Sequence, residues 1–230
     1  MNWQLPPIPF RLHPDITSMT EATTGTTDTG TDDPAARKRP KPGERRLQIL
    51  HALAEMLESP GGERVTTAGL AARLQVSEAA LYRHFASKAQ MLEGLIDFIE
   101  SSVFGLVNQI VTSEASSGAN GPRQVLQIMK MVAQFAEKNP GMARVMVGDA
   151  LVFENDRLQQ RMNQFFDKIE AALRQSMRDS VAGSATPTAE AQVAASLAAG
   201  FLMGRLQRFV RSGFRKLPSE SLEACVLRIL

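Results

Sequence analysis

The run TTAGLAARLQVSEAALYRHFASK, residues 66–88, constrains the fold of this chain more than any other stretch. Two short helical patterns flank a tight turn, and their apolar residues have the spacing of a helix-turn-helix. Ala71 is small where the two helices approach, and Val76 fills the turn. Leu81 and Phe85 anchor the second helix, which is expected to end near Phe85. The pattern predicts a small helical head whose second helix has one face committed to its own core.

The other face of that second helix carries Ala79, Tyr82, Arg83 and Ala86, at positions i, i+3, i+4 and i+7. Such a face fits the major groove of DNA, which the N-terminal residues of the helix would enter first. Ala79 is small enough to approach a thymine methyl group. Arg83 can reach O6 and N7 of guanine, a contact that contributes about 1–3 kcal/mol of discrimination. The segment therefore predicts sequence-specific binding to double-stranded DNA.

Other polar side chains of the head are predicted to position it on DNA. Tyr82 and Lys88 suit phosphate contacts, and Glu78 could accept from a cytosine or stabilise the positive end of its helix. Some alternatives stay open: Tyr82 and Phe85 could both be core aromatics, which is the favoured interpretation for Phe85, and His84 fits packing or a phosphate neighbour. The predicted DNA-contacting residues are Arg45, Arg46, Thr66, Thr67, Ser77, Glu78, Ala79, Tyr82, Arg83, His84 and Lys88.

The remaining chain has helical rather than strand-like periodicity, so we expect an all-α fold of about nine helices. Thr66 or Thr67, then Ser77, then Ser87 are predicted helix caps. The predicted domains are a disordered and basic N-terminal extension (residues 1–43), a helix-turn-helix DNA-binding domain (44–90) and an all-helical dimerisation and partner-binding domain (91–230).

The middle of the predicted body is punctuated by a sharp break at Asn139-Pro140-Gly141. A short helix is expected to follow over residues 142–153. Asn155 or Asp156 would then cap a long helix.

Charge is distributed unevenly along the chain. Residues 1–36 hold one basic and five acidic residues with little apolar periodicity, so we predict disorder there, with an upstream start site as the alternative. Residues 37–90 hold ten basic and five acidic residues, which favours a polyanionic partner. The basic run ARKRPKPGERR, residues 36–46, is either a solvated linker or an arm that lies along phosphates or in a minor groove.

The sequence indicates a soluble cytoplasmic protein without a membrane partner. The single Cys225 excludes an intramolecular disulfide framework and suits a reducing compartment. The first residues, MNWQLPPIPF, lack the basic start and apolar run of a signal peptide. The longest uncharged apolar-rich run, between Glu190 and Arg205, is shorter than the roughly 18–20 residues that a bilayer span requires.

The sequence contains no recognisable catalytic motif. We find no nucleophile–base pair at a known motif and no phosphate-binding glycine loop. His13, His51 and His84 have no partners at metal-ligand spacing. We therefore expect no enzyme activity, no cofactor and no metal.

The run TTAGLAARLQVSEAALYRHFASKAQML, residues 66–92, resembles the DNA-binding head of TetR-type regulators. In that family a Leu-Tyr-x-His-Phe-x-Ser-Lys run ends the recognition helix. The resemblance implies a TetR-like fold, with a three-helix head and a larger helical dimerisation body. One departure is Gln75, where the family usually has glycine in the turn. A left-handed conformation there would cost Gln about 1 kcal/mol more than Gly.

A more extensive resemblance, over about residues 44–216, is to the nucleoid occlusion factors within that family. It rests on SEAALYRHFASK, LIDFIE, EKNPGMARVMVGDALVFENDRLQQRMNQFFDKIEAALRQ and RFVRSGF. The resemblance implies a nucleoid-associated homodimer on a palindromic DNA site, which antagonises the division protein FtsZ over the chromosome. DNA could promote this by fixing the placement of the two subunits or by concentrating dimers side by side in a higher assembly.

A stripe of small residues recurs near the end of the chain. Ser196, Gly200 and Gly204 follow one another every four residues. An adjoining apolar stripe contains Val193, Leu197 and Phe201. Small side chains let two helix backbones approach closely. The alternative is packing within the chain's own body. The resemblance implies that this penultimate helix pairs with its symmetry mate, and we predict Ser196, Gly200, Phe201 and Gly204 as dimer contacts.

The resemblance also implies a surface for the tail of FtsZ, a short segment with both apolar and acidic residues, between the fourth and fifth helices. The predicted contacts are Phe98, Lys138, Asn139 and Met142. A close relative would carry Arg in place of Lys138, and Lys keeps the charge but loses the bidentate fork. The alternative for Phe98 and Met142 is burial in the core.

Five cations cluster after the small-residue stripe: Arg205, Arg208, Arg211, Arg215 and Lys216. The favourable interaction of cations with the end of a helix is enough to explain them. A role in binding a partner is the alternative.

The main alternative function is that of a ligand-responsive transcriptional repressor of the TetR type. It would need an enclosed cavity in the body with converging polar groups. Met129, Met131, Met142 and Met146 could line such a cavity, although methionines at helical spacing more often belong to a core.

Overall fold

A computed structural model describes residues 43–59, 65–117, 121–178 and 186–229. Residues 46–230 form one compact unit, and residues 1–45 form another, of which only the last three are described. The predicted disorder of residues 1–36 and the basic arm before residue 43 lie outside the described residues.

The described residues contain nine α-helices, one short 3₁₀ helix and no strand, as the periodicity predicted. The helices are α1 Glu44–Leu57, α2 Thr67–Arg73, α3 Glu78–Tyr82, α4 Lys88–Ser117, α5 Gly121–Lys138, α6 Pro140–Met146, the 3₁₀ helix Asp149–Leu151, α7 Asp156–Arg178, α8 Pro187–Arg211 and α9 Leu222–Ile229.

Side-chain caps begin several of these helices at the predicted residues. The Thr66 hydroxyl accepts from the Gly69 N–H ahead of α2, and the Ser77 hydroxyl accepts from the Ala80 N–H ahead of α3. The Ser87 hydroxyl accepts from the N–H of Gln90 at 3.2 Å in the first turn of α4. Each bond satisfies a backbone donor that has no partner inside its helix, so the local sequence fixes these starts.

The segment after α5 differs from its prediction. One helix was expected over residues 142–153, but α6 begins at Pro140 and ends at Met146. Gly148 has φ +79°, a left-handed conformation that interrupts the helix before the 3₁₀ turn. Asn155 accepts from the N–H of Arg157 at 2.9 Å and caps α7 as predicted.

Helices α1 to α3 enclose a small core of their own. Ile49 and Leu53 of α1, Leu70 of α2, Leu81 of α3 and the following Phe85 are each at most 1% exposed. Burial of such side chains contributes about 1.5–3 kcal/mol apiece, and it orients the second and third helices relative to the first.

Helices α4 to α9 form the body, and three of them have a clear direction relative to the head. The start of α7 lies beside the start of α4, where Arg157 pairs with Glu93 at 3.2 Å. The start of α8 lies beside the end of α7, because Gln192 donates to Glu170 at 2.6 Å and accepts from Arg174 at 2.8 Å. Helix α8 therefore runs antiparallel to α7 and ends at the head-facing side of the body.

The head is held against the body through α6. A Cβ added at Gly141 would lie 1.9 Å from the carbonyl oxygen of Ala54, so the two helices touch through backbone. Arg144 of α6 donates to the carbonyl oxygen of Leu57 at 3.0 Å, at the end of α1. The head and body of this unit therefore share a packed junction.

Among the described helices, α4 is long and apolar enough to cross a membrane by length and composition alone. In the fold it packs against α5, α6 and α7. Its Glu93, Asp97 and Glu100 carboxylates form ion pairs with cations of α7. These contacts are typical of a core helix of a folded domain, which can be as long and as apolar as a membrane-spanning helix.

Candidate nucleic-acid interface

The turn between α2 and α3 has the geometry of a helix-turn-helix. Gln75 has φ 54°, the left-handed conformation that glycine adopts most easily. The N–H of Val76 donates to the carbonyl oxygen of Ala71 at 3.0 Å and closes the turn. The predicted strain at Gln75 is therefore present.

The recognition helix α3 is shorter than predicted, ending at Tyr82 rather than near Phe85, with Arg83 as its C-cap. Ala79 and Tyr82 of the predicted face lie on α3 and Arg83 is at its C-cap, whereas Ala86 lies in the bend that follows the helix. Ala79, Arg83 and Ala86 are exposed, and Tyr82 is 44% exposed. Tyr82 is thus not a core residue, whereas Phe85, at 1% exposure, is.

A polar network links the start of α2 to the recognition helix. The Thr67 hydroxyl donates to Glu78 Oε2 at 2.6 Å, and the Tyr82 hydroxyl lies 3.5 Å from the Thr67 oxygen. The network orients Glu78 and Tyr82 on the surface that would meet DNA. Sequence reasoning named all three residues but did not predict that they contact one another.

Arg46 and Lys88, two further predicted DNA contacts, also have partners inside the chain. The Arg46 guanidinium lies 4.0 Å from the centre of the Phe85 ring and donates to the carbonyl oxygen of His84 at 3.0 Å. It is exposed and holds the segment after α3. Lys88 pairs with Glu154 at 2.5 Å, with side chains 22% and 12% exposed. The prediction of Lys88 as a phosphate contact does not fit this pairing, because the body already neutralises the ammonium group.

The remaining predicted DNA contacts differ in their exposure. His84, Thr66 and Ser77 are exposed, and the hydroxyls of Thr66 and Ser77 are used as helix caps. Arg45, in the first turn of α1, is half-buried.

The four residues predicted to bind FtsZ do not share one surface. Lys138 is exposed and Phe98 is half-buried. Met142 is 0% exposed and belongs to the core, so its prediction as a surface contact is wrong. Asn139 is 8% exposed, and its side-chain amide donates to the carbonyl oxygen of Phe135 at 2.8 Å. Pro140 at the start of α6 turns the chain at this point, and the first turn of α6 then directs Met142 inward.

The predicted dimer face is open in the single chain. Ser196, Gly200 and Gly204 are exposed, and a Cβ added at either glycine would meet no described atom within 4 Å. The alternative that these small residues pack within their own body is therefore wrong. Beside them, Val193 and Leu197 are 59% and 53% exposed. An apolar stripe of this kind marks an interaction surface.

The body core contains the methionines that were considered as a ligand-cavity lining. Met129, Met131, Met142 and Met146 are each at most 2% exposed. They lie on α5 and α6, which pack against each other. Their burial fits the interpretation as core residues.

The junction of α4 and α7 contains a charge cluster that the sequence did not reveal. Arg161 lies 2.9 Å from Asp97 and 2.8 Å from Glu100. Burial lowers the pKa of Arg161, but its hydrogen bonds and the charges of the two carboxylates outweigh burial and raise that pKa. The guanidinium thus stays protonated and fixes α7 on α4. No group of three or more metal-ligating side chains occurs among the described residues.

Comparison with known proteins places this geometry in a family. Residues 49–95 match the profile described as bacterial regulatory proteins, tetR family. Residues 123–227 match the SlmA-like profile described as tetracyclin repressor-like, C-terminal domain. The nucleoid occlusion factor SlmA of Photobacterium profundum is 50% identical over 185 residues, which are 80% of this chain and 92% of that protein. The chain belongs to the SlmA family of nucleoid occlusion factors. The SlmA of Vibrio cholerae is 48% identical over 181 residues, 78% of this chain and 90% of that protein.

Solved structures show the fold that this SlmA-family chain adopts. The transcriptional regulator FadR from Bacillus subtilis, in complex with stearoyl-CoA, has a TM-score of 0.64 at 14% identity, covering 80% of this chain and 96% of that chain. The TetR-family regulator PfmR from Thermus thermophilus has a TM-score of 0.57 at 23% identity, covering 80% and 97%. The predicted all-α, TetR-like fold is confirmed.

Proposed function

We propose that the protein is a DNA-bound nucleoid occlusion factor, which inhibits cell division over the chromosome by antagonising FtsZ assembly. The observation that carries this proposal is the exposed face of α3, with Ala79, Tyr82 and Arg83, in a chain of the SlmA family. The proposed organisation is a head for DNA, residues 44–90, and a body for dimerisation and partner binding, residues 91–230. The protein would act in the cytoplasm, on the nucleoid.

Arg83 is the proposed reader of sequence. It is exposed at the C-terminal end of α3, and its guanidinium forms no hydrogen bond or ion pair with the described residues. A bidentate contact to guanine can therefore form without breaking an internal one. Ala79, one helical turn earlier, allows close approach to the base edges. Tyr82, oriented by Thr67, would contact phosphate and set the register of the head on DNA.

The proposed dimer forms through the open stripe on α8. Ser196, Gly200 and Gly204 let the two α8 backbones approach, and the exposed Leu197 and Val193 would be buried beside them. A two-fold axis through this seam would present two identical heads, and two identical heads require a palindromic site.

We propose that fewer residues contact FtsZ directly than the sequence predicted. Lys138, exposed at the end of α5, can attract an acidic tail, and the accessible part of Phe98 on α4 can contact an apolar residue of that tail. The buried Asn139 and Met142 would act indirectly, because they fix the position of the break between α5 and α6.

The test of DNA recognition is selection of binding sites from randomised duplex DNA by the full chain. We expect a two-fold symmetric consensus, and Arg83→Ala should lose preference at specific positions of each half-site. A consensus without symmetry, or no enrichment at all, would count against the proposal. Binding of an FtsZ tail peptide to the wild type and to Lys138→Glu then tests the second partner, since charge reversal should weaken it.

A further inference from the structure

The C-terminal end of α8 carries two arginines that the fold does not use. Arg208 and Arg211 are exposed, and neither guanidinium forms a hydrogen bond or ion pair with any described residue. The neighbouring Arg205 differs, because it donates to the carbonyl oxygens of Pro218 and Glu220. Arg205 therefore stabilises the chain, while Arg208 and Arg211 are available for a partner.

This end of α8 faces the same side of the body as the head. Arg211 and Gln207 line a cleft with Gln159, near the start of α7, and with Asp149. Asp149 also lines a second cleft, together with Leu57 at the end of α1. The segment that contains Asp149 thus lies next to both Arg211 and the end of α1, and Arg208 precedes Arg211 by one turn of α8.

Several hydrogen bonds and a ring contact hold the end of α8. The N–H of Phe214 donates to the carbonyl oxygen of Phe209 at 2.9 Å, and the N–H of Gly213 donates to Val210 at 3.0 Å, the pair of bonds of a Schellman motif. Gly213 has φ 62°, and the Phe209 and Phe214 rings lie 5.2 Å apart. The Ser212 hydroxyl then accepts from the following backbone at 3.1 and 2.9 Å. A fixed backbone presents cations in a defined place.

Arg208 also continues the proposed dimer seam. It follows Ser196, Gly200 and Gly204 at the same four-residue spacing, and Arg211 lies three residues further along. Pairing of α8 with its symmetry mate would bring both copies of Arg208 close to the two-fold axis. Two positive charges close to the same axis repel each other unless an anion binds near both of them.

We infer that Arg208 and Arg211 of both subunits bind DNA phosphates between the two half-sites, beneath the dimer seam. The inference rests on the proposed function, because it needs a DNA-bound dimer that pairs through α8. DNA is favoured over an acidic peptide or a lipid headgroup because the arginines lie at the head-facing end of the body. The contact would add affinity without reading sequence.

The test compares two double variants with equal changes in charge. Arg208→Gln/Arg211→Gln removes the proposed contacts, and Arg174→Gln/Arg178→Gln removes two exposed arginines at the far end of α7. The affinity of each for a selected palindromic duplex is measured from 50 to 200 mM salt. Each lost phosphate contact lowers the slope of log affinity against log salt by about 0.9, so four per dimer should lower it by up to about 3.6. We expect that change in the first variant and little change in the second.

Three further measurements separate the outcomes. Arg208→Lys/Arg211→Lys should keep the slope of the wild type, and ultracentrifugation should show that both glutamine variants remain dimers. The inference would be overturned if the wild type and Arg208→Gln/Arg211→Gln had equal salt slopes, or if both glutamine variants lost the same amount of slope. Either result would leave the proposed function intact. Loss of binding to anionic phosphatidylglycerol vesicles or to an FtsZ tail peptide, with DNA binding intact, would also overturn the inference. A wild type that binds no DNA would overturn the proposed function as well.

Discussion

Replacement of Gly141 by alanine should loosen the junction between α1 and α6. The added Cβ would lie 1.9 Å from the carbonyl oxygen and 2.9 Å from the carbonyl carbon of Ala54, and 3.2 Å from Cγ of Glu58. The first two atoms are backbone inside α1, so they cannot rotate away as the end of a side chain can. Restoring an ordinary contact distance would require the two helices to separate by roughly 1.5 Å.

The cost of that separation can be bounded. Overpacking of a well-packed core typically costs about 1–3 kcal/mol, and here the bond from Arg144 to the carbonyl oxygen of Leu57 would also be strained. The better helix propensity of alanine recovers at most about 1 kcal/mol. We expect a net loss of about 1–3 kcal/mol in the free energy of unfolding. For a chain of this size that corresponds to a fall in Tm of about 2–12 °C.

The assay is thermal unfolding at one fixed protomer concentration, since the Tm of a dimer depends on concentration. The matched control is Gly105→Ala on α4, where an added Cβ would meet nothing within 4 Å. That variant should gain about 0.5–1 kcal/mol from helix propensity. If Gly141→Ala were as stable as the wild type, or as stable as the Gly105 variant, α1 and α6 would not be packed as described.

Three other experiments test separate parts of the structure. Arg83→Ala should cost about 1–3 kcal/mol at particular base pairs of the site; competition binding with single-base variants checks this, and an equal loss on every duplex would argue against base readout. Gly200→Leu should weaken dimerisation because the side chain would separate the two α8 backbones; sedimentation equilibrium measures this, and an intact dimer would place the interface elsewhere. Lys88→Met and Glu154→Gln, alone and combined, should show a coupling of about 1 kcal/mol in a double-mutant cycle of unfolding, with little change in the salt dependence of DNA binding. Additive effects on stability, or a clearly reduced salt slope of DNA binding, would instead indicate that Lys88 contacts DNA phosphates.

The parts of the fold that sequence could predict are those determined locally. The hydroxyls of Thr66 and Ser77 each accept from a backbone N–H only three residues further along the chain. The helix-turn-helix spacing buries Leu81 and Phe85 as expected. The outward placement of Arg83 follows from the same periodicity. These features need no knowledge of the body.

What sequence could not predict depends on contacts between distant segments. Lys88 and Glu154 are 66 residues apart, and no local pattern shows that they pair. Gly141 was recognised as part of a break, but only tertiary packing reveals that it touches Ala54. The burial of Met142 likewise follows from how α6 lies on its neighbours. The periodicity of the sequence was equally compatible with a core residue and with a surface contact at this position.

The central claim is that DNA binding and antagonism of FtsZ belong to one molecule. Its most direct test is light scattering of FtsZ polymers with this protein, in the presence of its selected palindromic duplex or of a scrambled duplex of equal length. We predict a faster loss of scattering with the palindromic duplex, and no such effect with Arg83→Ala at concentrations where specific binding is lost. Scattering that is unchanged by the protein while it is saturated with its specific site would contradict the claim.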